Sequence, residues 1–98
     1  MTTTTISPLT AARAEALFNS RLATGSQPAY DVVDEAIRIA VRAHGGVRGC
    51  AADVAGEYGD HPELAVPRMR WARGVVEHLY EGRRARAHRP RNDWALVA

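Results

Sequence analysis

The side chains able to do chemistry are few in kind: one thiol, four imidazoles, eleven carboxylates and thirteen guanidiniums, with no lysine. Cys50 follows Arg48 and opens a helical pattern. Both features lower a thiol's pKa, the setting of a redox-sensing cysteine. The weightier reading is a small buried hydrophobe. His44, His61, His78 and His88 do not combine with one cysteine into a metal set, because no CxxC, HxxxH or HExxH spacing occurs. No Ser-His-acid set, phosphate loop or carboxylate pair stands out, so the sequence predicts neither an enzyme nor a cofactor.

Arginine remains. Arg70 and Arg73, followed by Arg83, Arg84, Arg86, Arg89 and Arg91, are candidate phosphate contacts. Arg73 and Glu77 also form an i,i+4 pair, with Glu63 and Glu81 on the same side, so that surface is nearly balanced. The basic excess therefore belongs to the end of the chain. Residues 1–66 carry five arginines and eight acids; residues 67–98 carry eight arginines and three acids. An acidic body with a basic end is an interaction signal. Arg68 differs, because helical phase sets it among Leu64, Ala72 and Val75. A buried arginine must be paired. The sequence predicts a structural ion pair, with Asp53 or Glu57 as partner, or an anion-binding residue.

The elements that must position these residues are helical. The longest pattern runs from Asp60 to Gly82, with Leu64, Ala65, Met69, Trp71, Ala72, Val75, Val76, Leu79 and Tyr80 on one side. Asp60 and Glu63 have capping-box spacing, and Gly82 is read as the stop. Pro67 implies either a kink or a helix that begins there. A second helix spans Pro28–His44, entered through Ser26 as N-cap and stopped by Gly45-Gly46. Val33, Ile37, Ala40, Val41 and His44 repeat along it, with Val32, Ala36, Ile39 and Ala43 beside them and an Asp34–Arg38 pair on the far side. A short helix opens at Ser7-Pro8 and is expected to dock on the others. Val47–Gly49 reads as a connector, and Cys50–Tyr58 as a brief third helix ended by Gly59.

The pair Cys50–Tyr58 and Asp60 onward resembles a helix-turn-helix, in which the second helix presents its N-terminal side chains to the major groove. Val54, Ala55, Tyr58, Gly59 and Ala65 match the apolar, small, apolar, glycine and apolar places. Asp60, Pro67 and Arg68 depart from that pattern. The run RGCAADVAGEYGDHPELAVPRMRWAR also resembles a stretch of small, uncharacterised actinobacterial proteins, a likeness that implies no activity.

The expectation is an all-α domain of three to four helices over residues 7–82, with the long C-terminal helix at its centre. A disordered threonine run (1–6) precedes it and a basic flexible tail (83–98) follows. That tail's apolar end, Trp94 to Ala98, resembles the tails that ClpXP-type proteases grip, or else folds back on the domain. Two wide apolar arcs, Val33–Ile37–Val41 and Trp71–Val75–Leu79, predict a homodimer. The expected function is a small regulatory DNA-binding protein; the alternative is a protein-protein interaction module using an apolar helix face. One cysteine and the absence of a long apolar run predict a cytoplasmic protein that does not cross a membrane.

Overall fold

A computed structural model describes residues 6–88, with side chains through Arg86. The expectations placed on residues 1–5, Arg89, Arg91 and the apolar end beginning at Trp94 lie outside those residues. The described chain is all-α: α1 (Pro8–Phe18), α2 (Tyr30–Ala43), α3 (Gly46–Asp60) and α4 (Pro62–Val76), then a π-helical turn (Glu77–Glu81) and α5 (Gly82–His88). No described helix is long and apolar enough to cross a membrane.

Helix α1 begins because Ser7 accepts the Thr10 amide at 3.1 Å and Pro8 fills the first turn, where no amide partner is needed. Although short, it reaches every part of the core. Ala14 and Leu17 join Val33, Ala72, Val76 and Tyr80. Ala16 joins Ala40 and Cys50. Phe18 joins Val54 and Ala65. The long C-terminal helix supplies two of these three clusters and so shares the centre with α1, rather than receiving it at the periphery as expected.

Helix α2 stops where expected. Gly45 takes φ +81°, a left-handed conformation open to glycine, and His44 occupies the C-cap. Its predicted Asp34–Arg38 pair closes at 3.1 Å. Its start differs: Ala29 is the N-cap, and the Ser26 hydroxyl instead donates to the Ala23 carbonyl at 2.7 Å.

The segment read as a connector is helix. Val47–Gly49 lies in the first turn of α3, because Gly49 lets the two chain segments touch: a Cβ there would overlap the His44 carbonyl. Neither Gly59 nor Gly82 ends its helix, since each keeps negative φ and the next residues continue the turn. Asp60 consequently closes α3 and does not cap α4; His61 is the cap of both, with no side-chain cap bond. Pro67 is interior to α4.

The two apolar arcs expected to need a second copy are partly covered within one chain. Val33 is fully buried, Ile37, Trp71, Val75 and Leu79 are half-buried around the same cluster, and Val41 packs against Ala40 and Cys50. Trp71, Val75 and Leu79 also line an open groove of about 580 Å³. Leu64, expected inside, is 66% exposed instead.

Candidate interaction surfaces

The arginines predicted as one set fall into three places. Arg68 turns inward, and its partners are main-chain oxygens. Its Nε donates to the Phe18 carbonyl at 2.7 Å and its Nη2 to the Ser20 carbonyl at 2.9 Å. Its Nη1 donates to the Thr24 hydroxyl at 2.8 Å. The guanidinium also lies near the Phe18 and Trp71 rings, 5.8 and 5.0 Å from their centroids. Burial lowers its pKa. Among the described residues no carboxylate pairs with it: Asp53, one expected partner, is 2.6 Å from His44 Nδ1. Arg68 therefore caps the C-terminal end of α1, where leftover carbonyls and the negative end of the macrodipole favour a cation. All three of its nitrogens donate inside the chain.

Cys50 lies close by, inside α3 and 1% exposed. Its Sγ faces the Ala40 carbonyl at 3.7 Å, and Asn19 Nδ2 holds its own carbonyl at 3.0 Å. Burial, above all, pushes the thiol pKa up. That favours the packing role over the redox role.

Arg70 and Arg73 stay outside. They line a groove of about 440 Å³ between α3 and α4, together with Tyr58, Val66, Met69, Gly74 and Glu77. Tyr58 and Val66 are 38% and 41% exposed, so the wall is apolar and open to water. Arg73 lies 3.8 Å from Glu77, as the spacing predicted. Arg70 has no ion pair among the described residues. The resemblance to a helix-turn-helix centred on this pair of helices. Here one residue, His61, joins them, and its amide donates to the Glu57 carbonyl at 2.7 Å. Glu57, Asp60 and Glu63 are all exposed around that joint, and Leu64 and Val66 follow. An acidic, apolar entry to α4 does not suit a phosphate backbone.

The third place is the end of the described chain. The π-helical turn carries Tyr80 inward, where its hydroxyl donates to Asp34 at 2.7 Å. Burial first, and Asp34 second, raise that phenol's pKa. Arg13 covers Tyr80 at 4.0 Å, Tyr30 meets Tyr80 at 5.1 Å between centroids, and Arg83 lies over Tyr30 at 3.9 Å. Arg83, expected in a solvated tail, thus lies over an α2 ring while remaining exposed. Arg84 and Arg86 are exposed on α5.

The apolar row that the sequence placed beside the α2 stripe lies partly at the surface. Val32 and Ile39 on α2 are 46% and 52% exposed, and Ala36 and Ala43 lie between and beyond them. The signal was present in the width of α2's apolar arc, which exceeds what one neighbouring helix covers. Among the described residues no group of three His, Cys, Asp or Glu side chains gathers to hold a metal. Comparison with family models, curated proteins and solved structures finds no match to this chain.

Proposed function

We propose that the protein is an interaction module that seats an amphipathic, acidic helical segment of another protein in the groove between α3 and α4. The groove itself carries this reading: exposed Tyr58 and Val66 with half-buried Met69 form an apolar wall beside Arg70, a cation with no ion pair among the described residues. Helix-in-groove recognition uses apolar anchors for affinity and charge at the rim for orientation. A photo-crosslinking residue at Val66, compared with one at exposed Gly56, tests it in cells. The reading expects a protein adduct from Val66 alone. The crosslinked segment, made as a peptide, should then bind the purified chain and lose about tenfold or more in affinity to Arg70→Glu. Adducts to nucleic acid, or a peptide indifferent to Arg70→Glu, overturn it.

A second reading keeps the DNA-binding expectation and moves it to α5. Residues 82–88 contain three arginines and no acid, which supports phosphate contact without sequence readout. A salt-stepped mobility shift tests this. Binding should weaken steeply with salt, with a shallower slope for Arg84→Gln/Arg86→Gln. No shift at low salt overturns it.

A further inference from the structure

The outer edge of α2 carries Val32, Ala36, Ile39 and Ala43, separated by four, three and four residues. Such steps keep side chains on one seam of a helix, the spacing by which two helices interlock. Neither large residue of this seam is buried: Val32 is 46% exposed and Ile39 52%. The opposite edge of α2, through Val33 and Ala40, already holds the core. The seam is thus a second apolar edge beyond the one the fold uses. A groove of about 480 Å³ runs beside it, between α2 and the segment after α1, and Ala36, Ile39 and Ala43 form part of its wall.

We propose that a second copy of this chain covers the seam, the two α2 helices packing antiparallel about a two-fold axis between Ala36 and Ile39. Two independent patterns select this occupant and this direction. The first is size. The seam alternates large, small, large, small. Reversal about its midpoint sets Val32 against the second copy's Ala43, and Ile39 against its Ala36. Each large side chain meets a small one, the condition for close interdigitation. A parallel copy in register would set large on large. The second pattern is charge. On the flank beside the seam, Asp31 and Glu35 occupy the N-terminal half and Arg38 and Arg42 the C-terminal half. All four are exposed. The same two-fold keeps this flank on one side of both helices and reverses its order. Glu35 then falls level with the interval between the second copy's Arg38 and Arg42, and Asp31 near its Arg42. A parallel copy would turn this flank to opposite sides of the two helices and leave its charges without that pairing.

This surface is isologous, the self-complementary kind that closes as a dimer and does not propagate. It uses a different edge from the two arcs of the sequence-based homodimer, and it does not rest on the α3–α4 groove.

The test is the mass of the full chain in solution by light scattering or sedimentation. The chain of 10.7 kDa should run at twice that mass at micromolar concentration. Ile39→Asp should yield monomer with an unchanged far-ultraviolet dichroism spectrum. Glu35→Arg and Arg42→Glu should each weaken self-association by about tenfold or more, because each sets like charges together twice. An equimolar mixture of those two variants should recover the dimer, since each contact then joins an arginine to a glutamate. That recovery is specific to an antiparallel α2 pair. A wild-type monomer at high micromolar concentration overturns the proposal. So does a dimer that Ile39→Asp leaves intact, or a mixture that stays monomeric.

Discussion

The C-terminal end of α1 and the outer edge of α2 make opposite use of the same short chain. At the end of α1 the last four carbonyls all have donors: the Asn19 amide and side chain, the Ser20 amide, and Arg68 from α4. Along α2 apolar side chains are left to water. The difference shows where this sequence places its specificity. Polar groups withdrawn from water are satisfied within the chain, as burial demands. Apolar surface left outside costs little per residue and remains available to a partner. Substitutions in the first region should therefore be read in the melting curve, and those in the second in mass or binding.

The largest effect should come from Gly49→Ala, where the new Cβ meets main chain that has no rotamer to give. A loss of about 3 kcal/mol or more is expected in denaturant unfolding. A loss under about 1 kcal/mol would mean that α2 and α3 part easily and that the region is less closed than described. Next is Arg68→Ala, which strips donors from the Phe18 and Ser20 carbonyls at once. A cost of about 2–3 kcal/mol is expected, with Arg68→Lys recovering only part, because an ammonium lacks the planar fork. Full recovery by lysine would reduce the cap to a charge effect at the end of α1. Pro67→Ala should act in the opposite direction. It restores an amide inside α4 and is expected to raise stability by about 1–2 kcal/mol, after allowance for the more flexible unfolded chain. An unchanged midpoint would imply that α4 is bent at that turn and gains no bond. The smallest effect belongs to the open edge. Val32→Ser or Ile39→Ser, measured at high dilution, should shift the midpoint by no more than about 0.5 kcal/mol. A larger shift would place those side chains in the core of the single chain and erase the contrast.

Much of the fold was legible because it depends on near neighbours. Ser7 before Pro8, Gly45 after α2 and the pairs Asp34–Arg38 and Arg73–Glu77 act within a turn or two, so spacing alone predicts them. What failed to read depends on main-chain approach and packing, which the side-chain pattern does not encode. Gly49 looked like part of a loop because three glycines cluster there; its place in a helix follows from the approach of His44, which no local rule contains. Gly59 and Gly82 permit a stop without requiring one: α3 ends one residue after Gly59, and the helix runs on through Gly82. Arg68 was recognised as the odd inward arginine. Its acceptors were missed because main-chain oxygens have no signature in a list of side chains. The interaction surfaces were legible in part. Arg70 and Arg73 fell outside as phase predicted, while the tail arginines divided, because Arg83 meets the Tyr30 ring, 53 positions earlier in the numbering.

The π-helical turn at Glu77–Glu81 sets the heading of α5. A turn closed by i→i+5 bonds holds one residue more than an α-helical turn would, and each residue advances a helix by about 100°. The azimuth of α5 is therefore fixed by a residue count and not by residue type. Removing any one residue from 77–81 would swing Arg83, Arg84 and Arg86 together by about a quarter turn or more and take Arg83 off Tyr30, with every arginine still present. A single-residue deletion there re-aims all of that basic array.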